Sequence, residues 1–395
     1  MKCDYRLTRL EDAAIELSDG LHKAPVFDRD GEYIFVNATN LENGYIVDKD
    51  QEKHTSYSEY LKYGVHLTER TILYSIDGTI GNIARYRGEK CVLGKGACYI
   101  TVKQGISVDY IFYQLQSPHF HSYISSMATG STIRHISLKT MRNYSFPLPE
   151  YSTQEKIVSL LLALDNKIEL NNRISENLEQ QAASYYYHLF VENADPSWRE
   201  GTISDFGTVV GGSTPSKAKP EYYTDDGIAW ITPKDLSVDK SKFITHGADD
   251  ITELGLRNSS ATIMPAGTVL FSSRAPIGYI AIADGEVTTN QGFKSVVPND
   301  KIGTAFMYYF LKSALPTIES MASGSTFKEI SGSTMRTVPA IIPDDDTLRE
   351  FSSFCEPLFQ QQRTLEAENR SLATLRDSLL PRLMSGELDV SDIAI

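Results

Sequence analysis

Between Thr153 and Phe190 the chain has no proline or glycine, and apolar residues return at alternating steps of three and four. Ile157, Leu161, Leu164, Ile168, Leu178, Ala182, Tyr185 and Leu189 fall on heptad a and d positions, interrupted by polar Asn171 and Ser175. That period predicts a long helix with one apolar seam, and Ser152 or Thr153 is placed to cap its start. The register returns 194 residues later with Phe351, Cys355, Leu358, Gln362, Leu372, Arg376, Leu379 and Leu383, and the two interruptions become Leu365 and Asn369. Pro357 and Pro381 are expected to bend this second helix. Either helix alone would expose its stripe, so the two are expected to pack antiparallel within the chain; homodimerisation through the same seam is the alternative. A helix of about 37 residues is about 55 Å long, which would put one globular domain at each end of a stiff rod.

Nearly the same offset recurs along the rest of the chain. Residues 126–142 recur at 320–336 with 11 of 17 positions identical, from Ser126-Met127-Ala128 and Ser320-Met321-Ala322 to Thr140-Met141-Arg142 and Thr334-Met335-Arg336. Fainter echoes align Leu73–Gly81 with Leu270–Gly278, and Val36, Asn40 and Leu41 with Ile231, Asp235 and Leu236. A tandem duplication follows, with boundaries at 1–150, 151–192, 193–343 and 344–395: globular, helical, globular, helical.

Within each globular half, short β-rich runs bounded by turn residues alternate with amphipathic stretches. Strands are expected at Glu32–Val36, Arg70–Tyr74 and Ala97–Val102, then at Gly227–Thr232, Thr268–Phe271 and Phe293–Val297, with one helix over Val108–Met127 and another over Ala305–Met321. The fold class is α+β: two pseudo-symmetric globular domains separated by two long helices packed as an antiparallel coiled coil.

Composition sets further bounds. Hydrophobic content of 41% and charged content of 23% are ordinary for soluble domains, and 395 residues suffice for two or three cores. No run approaches the roughly 18 uncharged apolar residues of a membrane span, and the opening Met1-Lys2-Cys3-Asp4 is charged where a secretory leader is apolar. Cys3, Cys91, Cys98 and Cys355 lack metal-ligand spacing, and Cys91 and Cys98 read as core thiols. A reducing cytoplasm without membrane contact is expected. No Pro-Pro dipeptide is present, which excludes the Asn/Asp-Pro-Pro-aromatic loop of amino-methyltransferases, and no GxxxxGK[ST] loop is present for ATP. No ExK triad follows Pro343-Asp344, His119 and His121 read as a solvated helix face, and Gly94-x-Gly96 reads as a turn. No catalytic residue, metal site or cofactor is expected on this chain.

Gly211-Gly212-Ser213-Thr214-Pro215, Trp230-Ile231-Thr232-Pro233-Lys234-Asp235-Leu236, Asn290-Gln291-Gly292-Phe293 and the closing Leu379-Leu380-Pro381-Arg382-Leu383 follow one another over the second half. Taken together they resemble the specificity subunits of type I restriction–modification enzymes, a likeness that covers essentially the whole chain. The first half departs from the pattern, with Asp19-Gly20-Leu21-His22-Lys23 where the second has its Gly-Gly-Ser-Thr-Pro. The resemblance implies two target-recognition domains, each reading one half of a split, asymmetric double-stranded DNA target. The helices would set the gap and dock two methyltransferase subunits, and restriction/translocase subunits would join that core. S-adenosylmethionine, ATP and magnesium would sit on those partners.

The net charge of −13 is unusual for a DNA binder, but it is unevenly placed. Residues 1–150 carry 17 Lys+Arg against 18 Asp+Glu and residues 201–343 carry 12 against 14, whereas 151–200 and 344–395 hold the acidic excess. The globular halves are thus free to present local basic patches, and a weak, partner-dependent binder is expected.

Base edges are read by side chains with paired donors and acceptors. The first-half candidates are Lys23, Asn37, Asn40, Asp77, Thr79 and Asn82; the second-half ones are Thr214, Lys217, Lys234, Arg274, Asn290, Gln291 and Lys294. Asp77 and Arg274 occupy equivalent places, one suited to a cytosine amine and the other to guanine, with capping of the Gly78 turn as the alternative for Asp77. For the others, an ordinary solvated loop residue is the alternative. The duplicated Ser131-Thr132 and Ser325-Thr326 can offer hydroxyl donors to phosphate, or serve as helix caps or hinges. A coiled-coil scaffold binding proteins through its two globular ends, and a self-contained modification enzyme, are the competing functional readings.

Overall fold

The computed structural model describes residues 5–127, 135–324 and 328–390. Backbone contacts divide the chain into two units: one takes in the chain to Lys167 and again from Ser371, the other is Ile168–Arg370.

In the first unit a four-stranded sheet has the order Ala14–Asp19, Ala97–Val102, Thr71–Ser75, Ile83–Arg85, all antiparallel. A three-stranded sheet has His54–Thr55, Tyr33–Val36 and Cys91–Leu93, the last two parallel. Arg6–Arg9 pairs with Ser145–Leu148 near the domain's exit. The second unit repeats this plan. Gly207–Gly211, Lys294–Pro298, Val269–Ser273 and Ile277–Ala283 form the larger sheet, extended by Phe243–Ile244. Tyr223–Thr224, Asp249–Ile251, Ile228–Ile231 and Thr288–Thr289 form the smaller one, again with a parallel pair, and Arg199–Thr202 pairs with Pro339–Ile342.

The first long helix is Tyr151–Tyr187, extended by a wider turn at His188–Glu192, and the second is Asp345–Met384. The first helix starts before the expected cap, so Ser152 and Thr153 lie in its opening turn. In the second unit Asn171 meets Asn369 at 2.9 Å, the Ser175 carbonyl accepts from Gln362 at 3.0 Å, and Tyr185 bonds to Glu350. One number rises as the other falls, so the helices run antiparallel. In the first unit Arg376 reaches Asp165 at 3.0 Å, and Ile157, Leu161, Leu380 and Leu383 share one core.

Ile157, Leu161, Ala182, Phe351, Cys355 and Leu383 are fully buried, and Leu178 and Leu365 nearly so. Leu164, Ile168, Tyr185, Leu189, Leu358, Leu372 and Leu379 are half-buried. Truncating a fully buried leucine of this kind to alanine costs about 2–5 kcal/mol.

Two helix expectations are corrected. Val108–Met127 is two helices, Val108–Gln114 and Pro118–Met127. Continuing through Pro118 would strip the buried Gln114 carbonyl of its partner; the chain turns instead, and Ser117 Oγ donates to that carbonyl at 2.8 Å while accepting from Phe120 N–H. Ala305–Met321 likewise divides into Gly303–Ser313 and Leu315–Met321, with Pro316 in the opening turn of the second. The second long helix runs on through both Pro357 and Pro381. The carbonyls they free belong to exposed Ser353 and Asp377, which are open to solvent.

Candidate DNA interface in each unit

In each unit the central strand of the larger sheet runs into a tight turn held on both sides. In the first, Ile76 N–H donates to the Gly96 carbonyl at 3.0 Å and Ile136 N–H donates to the Ile76 carbonyl at 2.9 Å. Asp77 bridges to His135 through the backbone, and its Oδ1 accepts from His135 Nδ1, the donor because a carboxylate only accepts. Lys95 Nζ lies 3.9 Å from the other carboxylate oxygen. Among the described residues no hydrogen bond of Asp77 caps the Gly78 turn; its carboxylate faces His135 and Lys95.

The second unit places a matching frame around Arg274. Ser273 N–H donates to the Gly292 carbonyl at 2.7 Å, and Ile330 N–H donates to the Ser273 carbonyl at 3.1 Å. Arg274 bridges to Glu329, with Nη1 3.4 Å from Oε2, and Lys294 Nζ lies 3.7 Å from the other Glu329 oxygen. Gly78 has φ +70° and Ala275, its counterpart, +52°, so both turns pass through the left-handed region at this position although only one carries glycine there.

A second matched feature accounts for the departure noted in the first half. After their strands, both Gly20 and Gly212 press against backbone: a Cβ on Gly20 would lie 2.2 Å from the Leu93 carbonyl, one on Gly212 2.0 Å from that of Asn290. Leu21 N–H then donates to Leu93 at 2.7 Å and Ser213 N–H to Thr289 at 2.8 Å. The two segments differ in sequence yet start alike, with glycine at the one position where close approach demands it.

Around these frames the candidates separate. Thr214 Oγ1 donates to Gln291 Oε1, Asn290 Oδ1 accepts from Gly292 N–H at 2.8 Å, and exposed Lys234 follows Pro233, whose ring lies beside Gly292. Thr214, Lys234, Arg274, Asn290, Gln291 and Lys294 therefore come from one loop cluster. Lys294 points inward: its side chain is 14% exposed, burial lowers its pKa, and it donates to the Phe293 carbonyl at 3.2 Å. In the first unit Asn37 and Asn40 serve the loop itself. Asn40 Oδ1 accepts from Asn37 N–H and its Nδ2 donates to the Val47 carbonyl, both at 3.0 Å, and Asn40 is buried. Asn82 Nδ2 donates to the Ala38 carbonyl at 2.8 Å. Lys23, Thr79 and Lys217 are exposed. Ser131, Thr132, Ser325 and Thr326 lie outside the described residues.

Sequence reasoning missed Lys95, His135 and Glu329. His135 and Glu329 stand at one offset inside the longest duplicated run, where a histidine in one half takes the place of a carboxylate in the other while neighbours Ile136-Ser137 and Ile330-Ser331 match; that exchange was the available signal. Among the described residues no group of His, Cys, Asp and Glu is arranged to hold a metal. Cys91 and Cys355 are buried and their thiols are pushed up to about 12 by that burial, so neither is poised as a nucleophile. Among the described residues no helix is long and apolar enough to cross a membrane.

Comparison with known proteins places these frames in context. The type I restriction modification DNA specificity domain matches residues 19–180 and again 196–373. The chain is 40% identical over 158 residues to the type I restriction enzyme MjaIX specificity subunit of Methanocaldococcus jannaschii, a match spanning 40% of this chain and 36% of that protein. It is 25% identical over 358 residues to the HindI specificity subunit of Haemophilus influenzae, spanning 71% and 77% of the two chains. Its fold matches the crystal structure of a type I restriction–modification S subunit from M. genitalium, with TM-score 0.59, 18% identity and 98% of both chains covered.

Proposed function

Because the chain belongs to the type I restriction–modification DNA specificity family, we propose that it is the sequence-reading subunit of such a system. Each unit reads one half of a bipartite, asymmetric duplex. The observation that carries this reading is the pair of matched turns with unlike residues at their tips, Asp77 in one and Arg274 in the other. A common frame with different hydrogen-bonding faces is what two independent readers of different bases require.

The antiparallel helices fix the gap between half-sites and dock two methyltransferase subunits, to which restriction subunits add. The reading assigns no chemistry to this chain: methyl transfer from S-adenosylmethionine and magnesium- and ATP-dependent cleavage belong to the partners. A cytoplasmic location goes with that assembly.

The test is duplex selection from a random library by the chain co-purified with its methyltransferase partner. The expected product is one motif of two defined runs at a fixed gap, whose binding weakens steeply with salt. An unselected pool would favour the protein-binding scaffold instead, and one contiguous run would overturn reading by halves.

A further inference from the structure

We propose that His135 and Glu329 are positioning residues, so that each unit reads DNA through a pair of residues rather than a single side chain. The inference rests on the DNA-reading function above. The two residues come from the same place in the duplicated segment and face Asp77 and Arg274 across the same backbone bridge. The acid changes sides between halves: it is on the turn in the first unit and opposite it in the second. Either turn residue set against the other half's partner would place like charges, or two cations on protonation of the histidine, across one bridge, an arrangement that destabilises cross-strand pairs. A change of reader therefore carries a change of partner with it.

A cation from another loop completes each cluster, Lys95 beside Asp77 and Lys294 beside Glu329. In the second unit this makes a chain of contacts. Lys294 is held by the carbonyls of Gln291 and Phe293, Glu329 meets Lys294 through one oxygen and Arg274 through the other, and Arg274 remains 38% exposed. One corner of the guanidinium is fixed while the rest faces outward. That arrangement orients a flexible side chain before DNA arrives and reduces the entropy lost on binding.

The experiment is the same duplex selection with Glu329→Gln in the full chain and its methyltransferase partner, read base by base. Discrimination is expected to fall about 5- to 150-fold, the range of one bidentate base contact, at one base pair of one half-site. The other half-site should be unchanged, and Glu329→Asp should restore part of the preference. In the first unit, Asp77→Arg alone should lose binding, while Asp77→Arg with His135→Glu should bind and prefer a different base at one position; this pair also guards against a folding defect in Glu329→Gln. An unaltered preference in Glu329→Gln, or a uniform rise in affinity for all duplexes from loss of a negative charge, would overturn the proposal. A wild-type complex that selects no bipartite duplex would remove the function beneath it, and the proposal with it.

Discussion

Lys242 is a buried cation at the base of the second unit, and removing its counter-charge has a calculable cost. Its side chain is 7% exposed; Nζ lies 2.6 Å from Glu179 Oε2, 2.9 Å from Gln362 Oε1 and 3.5 Å from the Phe359 ring centroid. Glu179 is on the first long helix and Gln362 on the second. Lys242 and Phe243 N–H also donate to Glu366 at 2.8 and 3.0 Å, tying the strand Phe243–Ile244 to the helix pair. Burial lowers the Lys242 pKa to about 8 even with Glu179 present. Glu179→Gln leaves the ammonium among Phe359, Tyr308 and Tyr309 without its ion-pair partner, a loss of about 3–5 kcal/mol. Lys242→Met is milder, about 1–3 kcal/mol, because Glu179 keeps Lys312 and the Tyr309 hydroxyl, each at 2.8 Å. The double variant Glu179→Leu/Lys242→Met should lose less than Glu179→Gln alone, since it buries no unpaired charge. Both tryptophans, Trp198 and Trp230, lie in this unit, so their fluorescence during urea unfolding isolates the relevant transition. A Glu179→Gln protein within about 0.5 kcal/mol of wild type, or a double variant that loses more than Glu179→Gln alone, would refute the reasoning.

Three further outcomes are expected. Burial alone would raise the Glu179 carboxyl, but Lys242 and Lys312 outweigh it and hold it at about 2 against an ordinary 4.5. A depressed carboxylate stabilises the fold fully above about pH 4.5 and loses that effect as pH falls toward 2, so the wild-type margin over Glu179→Gln should shrink across that window in the same fluorescence assay; an unchanged margin would contradict it. Ala275→Gly should relieve about 1 kcal/mol of left-handed strain, partly offset by the freer unfolded chain; a melting temperature raised by about 1–4 °C would agree and a lowered one would not. Four residues inserted into each helix, at Asn171 and at its partner Asn369, add about 6 Å to each and should widen the selected gap by about two base pairs; an unchanged gap would end the spacer role.

Periodicity was the most legible feature of the chain, because a heptad is local and the duplication wrote it twice. Pro118 shows what burial adds to a local reading: it ends a helix because the carbonyl it would orphan is buried on Gln114, while the second long helix runs on through Pro357, whose freed carbonyl is exposed on Ser353. The partners of the turns were hidden by distance, since Asp77 and His135 are 58 residues apart and Arg274 and Glu329 are 55 apart. Lys242 lies in an Asp-Lys-Ser-Lys run that reads as solvated loop, and only the fold reveals that it is covered. Asn40 and Asn82, residue types well suited to base edges, also hold the Ala38–Asn40 turn, Asn40 through Val47 and Asn82 through the Ala38 carbonyl, contacts that the sequence alone does not show.

The most direct test of two independent readers is to exchange residues 1–150 for the corresponding domain of a relative and sequence the methylated genome of cells expressing the hybrid with its partner genes. The expected motif keeps one run of bases and the gap while the other run changes. A motif altered on both sides, or on neither, would contradict reading by halves.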